Sequence, residues 1–404
     1  MASPAQAPSR PGTTAGTAAG TDPDAGPAAG PGPGPGPGPR PGTPDTAPSV
    51  RHLGPNWYAV VMGTAIVANA GTLLPLTAPG LHVAYRVVWA LSALMLLTLL
   101  AARAVHWGRH RDQARRHLLD PAVAPFYGCL SMALLAVGGG TLAVGREVIG
   151  EPAAVAADAT LWILGTLVGL ICAAGIPYLM VTRHRIEPGS ASPVWLLPLV
   201  APMVSAALGP ALVPYLPAGQ WQAALLFACY ALFGVSLLAT LLVLPLVLSR
   251  LIHHGPLPLA LTPTLFLVLG PLGQSTTAVA NLAHAAPGVV DASSAHAMGA
   301  FAVLYGVPVM GFALLWLAIA TAMVVRAVRN GMGFAMTWWG FTFPLGTCVT
   351  GAAGLARRTG LTAFDWLAVG LFALLVTAVA VAATRTAAGL ARGRLLAPPR
   401  PVTT

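Results

Sequence analysis

Residues 223–248 read AALLFACYALFGVSLLATLLVLPLVL, twenty-six positions without one charged side chain. At 1.5 Å of rise per residue, about 20 apolar residues cross the hydrocarbon core of a bilayer, so this run predicts a membrane-spanning helix. Nine comparable runs lie on either side of it. In chain order the ten are Asn56–Leu76, Ala84–Val105, Pro125–Gly145, Ala159–Val181, Val194–Leu216, Ala223–Leu248, Thr264–Ala285, Met298–Val325, Phe334–Leu355 and Phe364–Ala387. Only 8% of the 404 residues are charged, against roughly a quarter in a soluble domain. A fold with so little polar surface belongs in lipid.

The charges that exist are grouped. All 21 basic residues are arginine, and most lie between the apolar runs. Cytoplasmic loops concentrate basic charge. With the N-terminus inside, 17 arginines fall on the cytoplasmic side and four, Arg86, Arg146, Arg357 and Arg358, on the other. The bias predicts an even number of spans, both termini in the cytoplasm and insertion in the cell membrane. The net charge of +10 then reads as a topology signal and an affinity for anionic lipid heads, not as a nucleic-acid surface.

The odd-numbered segments start near Asn56, Pro125, Pro193, Thr262 and Gly333, at spacings of 69, 68, 69 and 71 residues. One helical hairpin therefore repeats five times. Each unit has two spans, so all five enter the membrane in the same direction, and parallel repeats relate by an axis along the membrane normal. The predicted fold class is an all-α integral membrane protein of ten transmembrane helices, arranged as five parallel-repeat hairpins around a central pore.

The two helices of a hairpin differ in chemistry. Odd segments carry small, polar and helix-breaking residues: Gly63 and Asn69; Gly138, Gly139 and Gly140; Pro198 and Pro202; Gly270, Pro271, Gln274 and Ser275; Pro344 and Thr347. Broken backbone at membrane depth is tolerated only where protein or a water-filled cavity satisfies it. The odd helices are thus expected to face the axis and the even ones the lipid. Breaks are also expected in segments four and eight, at Gly175-Ile176-Pro177 and Gly306-Val307-Pro308. No Asp, Glu or Arg lies near the middle of a segment, and cation paths usually hold acids there. A neutral path of hydroxyls, amides and backbone N–H groups suits anions or neutral solutes.

Cys129, Cys172, Cys229 and Cys348 fall in four different segments without metal-ligand spacing, and read as buried apolar side chains. No cofactor or metal is expected. Residues 1–54, which include GPGPGPGPGPR over Gly30–Arg40, read as a disordered cytoplasmic tail and not as a secretory leader. Residues 55–387 form the transmembrane domain, and 388–404 a short basic cytoplasmic tail.

Two stretches carry a resemblance. Pro55-Asn56-Trp57-Tyr58-Ala59-Val60-Val61-Met62-Gly63-Thr64 resembles the first-helix signature of the tellurite-resistance/dicarboxylate transporter family. Trp338-Trp339-Gly340-Phe341-Thr342-Phe343-Pro344-Leu345-Gly346-Thr347 is similar to its ninth-helix signature. Gly270-Pro271-Leu272-Gly273-Gln274 and Trp195-Leu196-Leu197-Pro198 resemble its seventh- and fifth-helix motifs. The family includes plant slow anion channels, bacterial TehA proteins, fungal malate permeases and the yeast sulfite pump. The resemblance runs from about Pro55 to Ala387. It implies inner helices lining a pore, commonly a homotrimer, and a phenylalanine on the ninth helix as a plug. Phe343 is the best match to that plug and Phe341 the second.

Three function classes follow. The first is an anion channel or facilitator, with small inorganic or organic anions and membrane lipids as partners. The second is a proton-coupled carrier of C4-dicarboxylates, sulfite or tellurite, which needs a titratable group from among His82, His284, His296, Asp158 and Asp291. The third is an enzyme, for which His253-His254 and the stretch from His106 to His117 are the nearest clusters; the latter reads better as a solvated cytoplasmic loop. The expectation is that the protein is not an enzyme.

Overall fold

The computed structural model describes residues 50–76, 78–393 and 395. The Pro/Gly tract of residues 1–49 and the tail from residue 396 onward lie outside the described residues. Among these described residues twelve α-helices follow one another: α1 (Tyr58–Gly71), α2 (Leu81–Arg109), α3 (Arg111–Leu119), α4 (Gly128–Gly140), α5 (Arg146–Ile149), α6 (Glu151–Thr182), α7 (Leu196–Leu208), α8 (Gln220–His254), α9 (Leu269–Ala285), α10 (Ala292–Arg329), α11 (Thr342–Thr359) and α12 (Thr362–Ala391). Among the described residues, eight helical stretches are long and apolar enough to cross a membrane. The other two expected spans are helical as well, but α1 has only 14 residues, and α11 is rich in Gly and Thr and ends on two arginines.

Burial divides the helices into two kinds. In the spans Ala124–Ile149, Pro193–Tyr215 and Leu259–Ala285, 83%, 89% and 89% of the 18 residues of an apolar stretch are buried, against 22–28% in α2, α6, α8, α10 and α12. Every residue of α1 except Asn69 is buried, as is α11 from Thr342 to Ala356. The five buried helices touch in chain order: α1 packs on α4, α4 on α7, α7 on α9, α9 on α11, and α11 returns to α1. Each also packs on the long exposed helix that follows it: α2, α6, α8, α10 and α12 respectively.

Each buried helix is entered through a 3-10 segment: Pro55–Trp57, Ala124–Tyr127, Pro193–Trp195, Leu259–Val268 and Met336–Phe341. Successive segments touch one another along the chain. Proline explains the switch, because its missing N–H and fixed φ cost nothing in a first turn. Pro198, Pro271 and Pro344 each stand third in an α-helix, directly after such a segment. Pro202 lies one turn further, inside α7.

The expected breaks in the fourth and eighth segments do not occur. α6 runs through Pro177 and α10 through Pro308 without interruption. An internal proline removes one backbone hydrogen bond, which a long membrane helix absorbs locally. The triple glycine ends α4, but the helix continues through a π-helical turn, Thr141–Gly145. Gly145 lies against the ring of Trp89, which occupies the place of a side chain there.

Polar side chains tie exposed helices to buried ones. Trp89 Nε1 donates to Thr141 Oγ1 at 3.0 Å, Trp162 Nε1 to the Ser205 carbonyl at 2.9 Å, and Trp316 Nε1 to the Leu265 carbonyl at 2.9 Å. Ser236 Oγ donates to the Leu199 carbonyl at 2.6 Å. In lipid such bonds contribute about 0.6 kcal/mol each, with close packing of small residues supplying the rest.

The stretch from His106 to His117 is not a solvated loop. It covers the end of α2 and the amphipathic α3, with His106 fully buried and its ring stacked on His117 at 5.5 Å. Arg103 anchors the region: it donates to the Leu53 carbonyl at 2.7 Å and lies over the Tyr127 ring. α3 buries Ala114 and half-buries Leu118, while Arg111, Asp112, Arg115 and Arg116 stay exposed.

Candidate functional site

A cavity of about 750 Å³ is lined by all five buried helices or their direct extensions. α1 contributes Ile66 and Asn69, α4 Ala136 and Gly139, α7 Val204 and Leu208, α9 Gln274, Thr277 and Asn281, and α11 Phe343, Thr350 and Gly354. These come from the C-terminal halves of α1, α4 and α7 and from most of the length of α9 and α11. Phe343 and Arg358 bound the α11 wall, about 20 Å apart along the helix axis. Phe343 is almost fully buried, while Arg357 is exposed.

The polar lining is neutral at depth and basic toward the helix ends. Asn69 Nδ2 donates to the Ala136 carbonyl at 2.9 Å, bridging α1 and α4. Asn281 Nδ2 does the same from α9 to the Ala207 carbonyl of α7 at 2.8 Å. The Asn69 Oδ1 and Gln274 Oε1 atoms are buried without a hydrogen-bond partner. An amide can turn over, so Gln274 can present either N–H₂ or oxygen to the cavity, whereas the bond to Ala136 fixes the Asn69 amide with its oxygen free. Thr277 and Thr350 share a hydrogen bond of 2.7 Å across α9 and α11. Arg146, His284, Arg357 and Arg358 line the rim, and no Asp or Glu is in the lining. Such a chamber attracts anions and repels cations.

Of the residues expected to line a path, Asn69, Gly139, Gln274 and Phe343 line this cavity. The others have different surroundings. Gly63 lets α1 approach Thr342 and Trp339, leaving no room for a Cβ. Thr347 is fully buried and donates to the Pro344 carbonyl at 2.7 Å, with longer contacts to Leu269 and Gly270 across the helix seam. Ser275 donates to the Leu272 carbonyl. Pro198, Pro202, Pro271 and Pro344 are buried within their helices. Gly270 is buried, yet no atom lies within 4 Å of where its Cβ would be. Phe341 belongs to the 3-10 segment and packs edge-on against Phe266, with centroids 4.8 Å apart, and against Trp338. Of the two phenylalanines, only Phe343 borders the cavity.

The rim arginines fall outside the path residues expected from sequence, whereas Thr277 and Asn281 belong to the polar stretch of the seventh segment. The repeat held a signal for one of them. Asn69 and Asn281 stand 212 residues apart, six more than three repeat periods, and make the same kind of bond to the neighbouring buried helix. Arg357-Arg358 is also the only doubled arginine on the arginine-poor side of the chain.

Among the carrier candidates, His284 lines the cavity and Asp158 is buried, 2% exposed, against Gly138. His82, His296 and Asp291 are exposed. Asp291 caps α10 by accepting the Ser294 N–H at 2.9 Å, and its bonds to Ser294 and Ser293 hold its carboxyl below the usual carboxylate range. No group of three or more His, Cys, Asp or Glu among the described residues could hold a metal. All four cysteines are buried and unpaired.

Residues 52–387 match the model of the voltage-dependent anion channel family. An uncharacterized transporter of Methanocaldococcus jannaschii is 25% identical over 327 residues, covering 81% of this chain and 90% of the relative. The sulfite efflux pump of Trichophyton rubrum is 28% identical over 338 residues, covering 81% of this chain and 88% of the pump. That of Arthroderma otae is 27% identical over 340 residues, covering 82% and 88%. A buried, acid-free chamber in a multi-pass membrane protein and a family match over most of the sequence agree: the chain belongs to the voltage-dependent anion channel family.

Proposed function

We propose that the protein passes small anions across the cell membrane through a central path that Phe343 gates. The observation that carries this reading is a cavity walled by all five buried helices, bordered by Phe343 and free of acidic side chains. The aromatic ring closes the path when it lies across it, and a change of rotamer clears it. The open space beside Gly270 supports continuation of the path beyond the ring. Sulfite efflux by similar proteins supports an anion as the cargo.

In this reading α1 and α11 also span the membrane, giving ten spans and five parallel hairpins over residues 55–387. The closed order of contacts among the buried helices and their shared 3-10 entries support it. Both termini are cytoplasmic, which follows the arginine bias, and the exposed apolar faces of α2, α6, α8, α10 and α12 meet lipid or neighbours in a homotrimer. Planar-bilayer recording of purified protein tests the path: Phe343→Ala should raise anion conductance, and unchanged conductance in a folded variant removes Phe343 from the role.

A second reading is proton-coupled transport, favoured by one observation. Asp158 is a nearly inaccessible carboxyl in α6 with no hydrogen bond or ion pair to a described residue. Ionisable groups at such positions commonly carry protons. Uptake of labelled malate or sulfite into liposomes with and without a pH gradient separates the two, since flux indifferent to the gradient excludes coupling.

A further inference from the structure

The connection between α4 and α6 is more than a loop. After Gly140 the helix loosens into the π-helical turn Thr141–Gly145, the only such turn among the described residues, and then makes the single turn of α5. A π turn inserts one extra residue, which swings everything after it by about 100° around the helix axis. The segment ends at Gly150, whose φ of 83° and ψ of 153° lie in a region open to glycine alone. Leu142, Ala143 and Arg146 line the cavity, so this strap is itself a piece of the chamber wall. Val148 and Ile149, on the same strap, are exposed.

Side chains hold the strap from two directions. From α2, Trp89 bonds Thr141 and its ring fills the space beside Gly145. Arg86, also on α2, donates to one oxygen of Glu147 through Nε, at 2.9 Å, and through Nη2. On the other side, Glu151 directly after the strap accepts from the hydroxyl of Tyr215, at the end of the 3-10 segment that follows α7. The charge of Arg146 acts on that same hydroxyl, and Tyr215 lines the cavity. These ties meet at the rim, away from Phe343. They differ in strength. Trp89 and Thr141 are buried and fix the first turn of the strap. Arg86 and Glu147 are 42% and 41% exposed, and an ion pair so open to water holds weakly. A fixed pivot, a weak tie and a glycine hinge in sequence are the parts of a gate.

We propose that residues 141–150 are a movable gate at the rim of the cavity, pivoting at Trp89 and Gly150 and latched to α2 by the Arg86–Glu147 pair. Latched, the strap keeps Leu142 and Arg146 in the chamber wall and the mouth narrow. Released, it swings away and the mouth widens. The proposal rests on the anion-path reading and gives that path a second gate, at the end of the chamber away from Phe343.

Leu142, a buried residue of the strap, reports the motion without requiring transport. The rate at which a charged thiosulfonate labels the full-length Leu142→Cys protein in detergent is measured. The four native cysteines are buried, and the chain without Leu142→Cys gives the blank. Arg86→Glu and Glu147→Arg, each added to Leu142→Cys, should raise the labelling rate about fivefold, the size of one exposed ion pair. The double swap rebuilds the pair with its charges exchanged and should return the rate to its starting value. Damage to the fold would not be rescued in this way. In planar bilayers the same single substitutions without the reporter should raise anion conductance, and the double swap should restore it. Labelling unchanged by the single substitutions, or a double swap that labels as fast as they do, overturns the proposal. Faster labelling with no anion current in any variant would sink the path reading and keep the gate; anion current with labelling indifferent to the latch would do the opposite.

Discussion

Gly273 faces the backbone of Cys348 across the contact between α9 and α11, so closely that a Cβ at position 273 would lie 2.5 Å from the Cys348 nitrogen. The obstacle is main chain and cannot rotate away. Thr277, one turn on, bonds Thr350 in the same seam.

Gly273→Ala should therefore push the two helices apart and destabilise the protein by about 1–3 kcal/mol, the usual cost of overpacking. Gly270→Ala, three residues earlier, meets open space and should fold as well as the wild type. The unfolding temperatures of the two variants in detergent check this contrast. A Gly273→Ala protein as stable as Gly270→Ala would mean that the helices are further apart than described.

Phe343 and Phe341 are two positions apart but have different neighbours, so they separate gating from packing. Phe343→Ala should raise single-channel conductance. Phe341→Ala removes the edge-on contact with Phe266 and should lower stability, with conductance little changed. Recordings and melting curves of both variants decide the assignment, and equal conductance in the two would count against a gate at Phe343.

Gln274→Leu tests the polar lining. The amide oxygen of Gln274 is buried without a partner, so its removal breaks no internal bond and should not destabilise the fold. Loss of a hydrogen bond to a charged group is worth about 1.5–3 kcal/mol. Apparent anion affinity in flux assays should fall roughly tenfold or more. Flux with unaltered anion affinity would show that ions do not touch this amide.

The histidine pair at the end of α2 and in α3 predicts a pH effect on stability. Burial lowers the pKa of His117 to about 4, assisted by the charge of Arg103 and by His106. The unfolded chain takes up this proton near the ordinary histidine value of 6.5, and the folded chain only near 4. Stability from this group is thus complete above about 6.5 and falls as pH drops toward 4. His117→Gln should flatten that part of the unfolding-temperature profile. A wild-type profile that is level across this interval would argue against burial of the ring.

The sequence by itself determined the solvent of this protein and the order of its helices. Charge-free runs such as 223–248 are readable because lipid penalises every buried charge, whatever the neighbours. The 69-residue period is legible because it lies in local pattern, whereas the preference for Phe343 over Phe341 rests on the resemblance of residues 338–347 to a family signature. Tertiary structure decided which small residues serve a cavity and which serve contact. Gly63 and Gly139 look alike in a sequence, yet Thr342 fills the space beside one, while the other lines the cavity next to the Leu208 side chain. It also decided that Arg146, Arg357 and Arg358, more than 200 residues apart at the extremes, meet at one rim. Side-chain direction on a helix is fixed only when the facing helix is placed, and long-range packing does that.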